Sequence, residues 1–200
     1  EPPPPSGPMA RAPFDEAFCE MVEELRPKAV SFHFGLPPDG LFDRVRRTGA
    51  KILCSATTVR EAKFLAGRGV DAIVAQGAEA GGHRGSFLRD PYETMTGTLA
   101  LTRLIVKAVK TPVVAAGGIM DGAGIAAVLA LGAQAAQIGT AFLPCPESAA
   151  SAPHKAAILA AQEDDTRLTE KFSGRTARGL ETSAGTDERA LARASERKGL

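Results

Sequence analysis

The run Gln76-Gly77-Ala78-Glu79-Ala80-Gly81-Gly82-His83-Arg84-Gly85 sets four glycines within nine residues around one histidine. Positions without a Cβ tolerate positive φ and leave backbone N–H groups uncovered, so such a turn lets main chain approach a bound group closely. An imidazole held there exchanges protons near neutral pH. Two more pairs, Gly117-Gly118 and Gly139-Thr140, offer the same open backbone, the second with a hydroxyl beside it. Clustered N–H donors of this kind suit a phosphate.

Other polar residues have two readings each. Glu79, four residues before His83, orients that ring or lines a pocket, or else is a solvated turn carboxylate, and Arg84 either faces a phosphate or solvates a loop rim. His33 lies inside an apolar run and reads as a packed strand residue, whereas His154 follows Pro153 in a polar stretch and reads as solvated. Asp121 suits a helix N-cap better than an acid catalyst. Cys19, Cys54 and Cys145 are odd in number, far apart and without CxxC spacing, which speaks against disulfides and zinc and for a reduced, cytoplasmic setting. They read as small core or loop residues.

The elements that must carry these residues alternate. A proline-rich leader, residues 1–13, reads as flexible and precedes a helix near Phe14 to Leu25. Apolar strands are predicted at 29–34, 51–55, 71–75, 112–116 and 135–138. Helices are predicted near 39–48, 58–68, 99–109 and 123–131, with Ile125, Val128 and Leu129 forming a core stripe. Short apolar strands joined through helices require parallel pairing with both faces covered, which leaves a doubly wound sheet or a (β/α)8 barrel. The barrel is favoured because functional-looking residues follow several successive strands, as they do at the C-terminal face of barrels. A closed barrel needs eight strands, so the fold class read here is α/β, a partial (β/α)8 TIM barrel with about five of its eight strands. The domain spans residues 14–180 and is followed by a polar, charged tail at 181–200.

Composition bounds what this domain does. With 44% apolar and 24% charged residues, the 200-residue chain is an ordinary globular one, which removes the disordered class. Its 24 basic and 23 acidic side chains are spread along the sequence, and with a single tyrosine they give no footprint for nucleic acid. No apolar run reaches transmembrane length, so no membrane partner is expected. A chain opening on Glu1 leaves room for an upstream segment.

Taken together, the glycine-histidine turn, the run Pro112-Val113-Val114-Ala115-Ala116-Gly117-Gly118-Ile119 and the run Gln137-Ile138-Gly139-Thr140-Ala141-Phe142-Leu143 resemble the nitronate monooxygenase family, over roughly Val30 to Leu180. The resemblance implies an FMN-dependent barrel oxidoreductase that oxidises alkyl nitronates or nitroalkanes with dioxygen. By the same resemblance Gln76, Gly81 and Gly82 contact the flavin, while Gly117, Gly118, Gln137, Gly139 and Thr140 hold its phosphate. His83 faces the isoalloxazine, as the base that removes the α-proton or as the group that steadies the anionic nitronate. The front strands of the family have no counterpart before Val30, and the tail does not match its continuation. Open edges then favour self-association, and this length is expected to be inactive or weak by itself. The rival readings are a flavin-dependent enoyl-acyl-carrier-protein reductase and a flavin- or phosphate-binding fragment without activity.

Overall fold

The computed structural model describes residues 13–171 and 173–180, so the tail at 181–200 and all of the leader but Pro13 lie outside the described residues. In chain order the elements are α1 (Glu16–Leu25), β1 (Ala29–Phe32), α2 (Asp39–Arg47), β2 (Lys51–Ala56), α3 (Val59–Gly67), β3 (Ala72–Gln76) and β4 (Gly82–His83). There follow α4 (Thr98–Ala108), β5 (Val113–Ala116), α5 (Gly122–Ala130), β6 (Ala135–Gln137), α6 (Ala152–Ala160), β7 (Thr166–Thr169) and β8 (Ala177–Leu180). The described residues form two compact units: a larger one of residues 13–80 with Arg84–Thr140, and a smaller one of Gly81–His83 with residues 141–171 and 173–180.

The larger unit is a five-stranded parallel sheet in the order β1-β2-β3-β5-β6. Every predicted strand and helix forms, within a residue or two at its ends. The central strands β2, β3 and β5 are nearly buried throughout, and β1 and β6 at the two edges are largely open. The burial follows from helices on the sheet: Phe42 and Val45 of α2, Leu65 of α3 and Leu101 and Ile105 of α4 pack with Ile52, Cys54, Ile73 and Val113 of the strands in one cluster. A second cluster joins Ala115 and Ile119 to Val128 of α5 and Ala133.

The α5 stripe is only partly core. Val128 is buried and Ile125 half-buried, but Leu129 is 44% exposed on the helix that precedes β6, the last strand of the sheet. Asp121 is the expected N-cap, its Oδ1 accepting the Gly124 N–H at 2.8 Å. Cys19 and Cys54 are buried free thiols, with Cys145 half-buried. Burial pushes the Cys54 thiol up to about 12, although the carbonyls of Ser55 and Gly35 accept from it. A thiol reagent at pH 8 is therefore expected to modify Cys145 in the native protein and to reach Cys54 only after denaturant is added, as peptide mapping would show.

The entry to β3 carries a pH-sensitive lock. Asp71 Oδ2 accepts the Ile52 N–H at 2.9 Å and Oδ1 accepts from Lys51 Nζ at 2.7 Å, which ties β3 to β2 before their ladder begins. The Ile52 N–H first, and then the Lys51 ammonium, hold the Asp71 carboxyl below its ordinary value. A carboxyl with a depressed folded-state value stabilises the fold above its unfolded pKa of about 3.9, and that stability is lost as pH falls through the lower, folded value. Urea midpoints measured from pH 6 downward should therefore fall less steeply in Asp71→Asn than in the unchanged protein. Equal slopes would remove the lock.

The smaller unit is a three-stranded antiparallel sheet in the order β4-β8-β7. Gly82 pairs with Arg178 and His83 with Ala177, while β7 and β8 form a hairpin. None of these strands, nor α6, is among the elements predicted from the sequence.

Candidate functional site

Parallel strands put all their carboxyl ends on one edge of the sheet, and the register aligns Gln76 with Ala116 and Ala116 with Gln137. The larger unit thus gathers the ends of β3, β5 and β6, and with them Gln76, Gly117, Gly118, Gln137, Gly139 and Thr140, along that edge. Gln76 is buried, and its Oε1 accepts the Gly85 N–H at 2.7 Å, closing the glycine turn onto the strand it left. Gln137 and Gly139 are exposed and Thr140 is half-buried.

The glycines on this edge have different physical reasons. A Cβ at Gly77 would stand 1.9 Å from Thr98 Oγ1, and one at Gly117, where φ is +120°, would stand 2.7 Å from the same oxygen. These two positions are small because the first residue of α4 packs into them. Gly118, at φ +65°, adopts a conformation that L side chains rarely take, and Gly139 has nothing within 4 Å of where a Cβ would be. A Cβ at Gly118 would also stand 3.1 Å from Glu79 Cβ, so of these four positions Gly139 is the one with open space beside it.

Glu79 is an anchor for α4. Its carboxylate accepts the Thr98 N–H at 2.8 Å and the Thr98 hydroxyl at 2.8 Å, which places negative charge at a helix N-terminus, where it is favoured. Arg84 corrects both of its sequence readings, the rim residue and the phosphate ligand. It is 5% exposed and donates to the carbonyls of Gln76 (2.6 Å), Gly77 (2.7 Å) and Thr94. A guanidinium with its fork of N–H donors serves several carbonyls of one turn at once.

His33 is a second correction. β1 stops at Phe32, so His33 stands just past the strand on the same carboxyl edge, exposed, with Nδ1 2.9 Å from Ser55 Oγ. The following Phe34 has φ +69°, an uncommon conformation for a residue other than glycine. The backbone turns sharply here, which ends the strand before its apolar pattern does.

The smaller unit holds Gly81, Gly82 and His83. Gly81 and Gly82 are exposed, Gly82 at φ +78°, and His83 is half-buried with Nε2 2.6 Å from Ser173 Oγ. Ser173 lies ninety residues on and carried no signal in the sequence. Glu61 was missed as well, though Thr58-x-x-Glu61 has the spacing of a capping box. It is fully buried and accepts from Thr57, Phe87 and Leu88, so it fixes the segment that leaves the glycine turn. Among the described residues no group of histidine, cysteine and carboxylate side chains could hold a metal, and no helix is long and apolar enough to cross a membrane.

Comparison with known proteins gives one answer. The family model for nitronate monooxygenase matches residues 11–192, a longer stretch than Val30 to Leu180 and one that enters the tail set apart above. Curated nitronate monooxygenases of Paraburkholderia phytofirmans and Pseudomonas aeruginosa are 49% and 51% identical over 88% and 83% of the chain, which covers 49% and 47% of theirs. Among solved structures, the nitroalkane oxidase of Streptomyces ansochromogenes superposes with a TM-score of 0.78 at 47% identity, over 84% of this chain and 49% of its own. FabK from Thermotoga maritima gives 0.77 at 30% identity, over 94% and 58%. The chain spans about half the length of the curated relatives it matches.

Proposed function

The chain belongs to the nitronate monooxygenase family, and from that premise we propose that it acts in the FMN-dependent oxidation of alkyl nitronates or nitroalkanes by dioxygen. The supporting observation is the sheet edge itself. The ends of β5 and β6 bring Gly118, Gly139 and Thr140 to this edge, and backbone N–H groups with a hydroxyl are the neutral donors a phosphate monoester needs. These three would hold the FMN phosphate, with Gly117 and Gln137 shaping the edge around them and Gln76, Gly81 and Gly82 meeting the flavin. FMN when bound supplies the electron acceptor, and the protein supplies the proton chemistry and the orientation.

His83 is the base in this reading. Its imidazole takes the α-proton of a neutral nitroalkane, or as imidazolium it steadies the negative charge of a nitronate already formed. We further infer a cytoplasmic setting, from the free thiols Cys19 and Cys54, and self-association through the open β1 and β6 edges and exposed apolar side chains such as Leu25 and Leu104.

The first test is the visible spectrum of the purified chain, with the released cofactor identified, followed by dioxygen consumption on adding a nitronate. A flavin spectrum with FMN released, and dioxygen uptake that depends on nitronate but is weak at this length, is the expected result. Flavin with no nitronate reaction but with oxidation of a nicotinamide by an enoyl thioester would transfer the assignment to the reductase. A protein that neither carries nor takes up FMN would overturn both.

A further inference from the structure

We propose that Ser173 is a positioning residue for His83, its hydroxyl holding the imidazole plane through Nε2 whether or not that nitrogen carries a proton. The proposal rests on the reading of His83 as the base. It starts from how little the backbone does for that residue. β4 is only two residues long, follows the exposed Gly81, and includes Gly82 at φ +78° with nothing within 4 Å of its missing Cβ. A two-residue strand that begins on one glycine and follows another sets where Cα lies but leaves the ring plane to side-chain contacts.

The hydroxyl that meets the ring is itself well placed. Ser173 sits in the turn between β7 and β8, and β8 is the strand that pairs with β4 at Ala177. Gly174 at φ +71° donates its N–H to the Glu170 carbonyl at 2.8 Å, and Thr176 Oγ1 donates to Glu170 Oε1 at 3.1 Å. Thr169, Thr176 and Ala177 on either side are 4–6% exposed. One hairpin therefore fixes both the backbone of His83 and, 2.6 Å from Nε2, the oxygen that orients its ring.

The chemical choice of serine matters. A hydroxyl donates to a bare ring nitrogen and accepts from a protonated one, so the contact survives proton uptake and release. A carboxylate in its place would favour imidazolium and commit the ring to one state. Serine orients the base without charging it.

The test uses the full chain loaded with FMN, labelled with 15N-histidine, and compares Ser173→Ala and Ser173→Thr with the unchanged protein. Ring 15N shifts of His83 are expected to move toward tautomer averaging in Ser173→Ala and to return in Ser173→Thr. Nitronate turnover should fall about ten- to a hundredfold in kcat in Ser173→Ala, with KM little changed and threonine restoring most of it, as expected when a reacting group is misplaced. Unchanged ring shifts in Ser173→Ala would overturn the contact and leave His83 as base untouched. Shifted signals with full turnover, while His83→Asn is slow, would overturn the positioning role alone. Full turnover in His83→Asn as well would bring down the base assignment and this proposal together.

Discussion

His83→Asn is expected to slow the reaction with a neutral nitroalkane by about a hundred- to ten-thousandfold, or about 3–5 kcal/mol of transition-state stabilisation. Asparagine keeps a polar group of similar reach on β4 and removes only the basic nitrogen, so the loss reports proton transfer rather than packing. The measurement is anaerobic mixing of FMN-loaded protein with excess substrate, read as loss of flavin absorbance, which detects a slow single turnover. A preformed nitronate needs no proton removed, so the loss there should be at least tenfold smaller. Equal losses for both substrates would assign His83 to steadying the anion. A variant slowed less than tenfold with the neutral nitroalkane would take the base role away from it.

The second large effect is on folding. Glu61 is fully buried on α3, and its carboxylate accepts the Thr57 N–H (2.7 Å), the Thr57 hydroxyl (2.7 Å), the Phe87 N–H (2.8 Å) and the Leu88 N–H (3.1 Å). Thr57 Oγ1 continues to Ser86 Oγ and from there to Thr94 Oγ1, each at 2.8 Å. Glu61→Ala strips this network of its acceptor and leaves several inward-facing donors unanswered. Hydrogen bonds to a charged group contribute roughly 1.5–3 kcal/mol each, and donors stranded by removing their partner add desolvation cost. We expect a loss of about 3–5 kcal/mol, and with some 2–4 °C per kcal/mol in a domain of this size the melting temperature should fall by roughly 6–20 °C. Glu61→Gln, which keeps one acceptor but turns an amide N–H₂ toward other donors, should fall between the two. Thermal and urea unfolding check this, and a Glu61→Ala cost under about 1 kcal/mol would show that the network carries little.

The parallel sheet was legible because its strands are apolar and its helices begin and end on strong local signals. Val113 to Ala116 stops at two glycines, and Asp121 caps the helix after them. Burial on both faces writes itself as a continuous apolar run, which a sequence displays directly. The antiparallel sheet was not legible for the opposite reason. β4 is two residues inside a glycine turn, and Thr166–Thr169 and Ala177–Leu180 alternate too briefly and carry too much polarity for a period to show. Charged side chains were the hardest. Arg84 and Glu61 look like surface residues in sequence, and only the placement of Gln76, Gly77 and Phe87 makes them buried hubs. His33 failed through its boundary, because the turn at Phe34 cuts the strand one residue before it.

In the order β1-β2-β3-β5-β6 each strand of the parallel sheet lies beside the one made just before it, with β4 alone drawn off to pair elsewhere. No strand has to wait for a distant segment to be synthesised, so the sheet can grow one way as the chain leaves the ribosome, each strand and its helix docking on a finished edge. Closing entropy is then met in small instalments rather than in one long loop. Such a layout is divisible. Interrupting it between two strand–helix repeats leaves the earlier ones still paired, so recombination at those junctions can shorten, lengthen or exchange parts of the sheet without scrambling what remains.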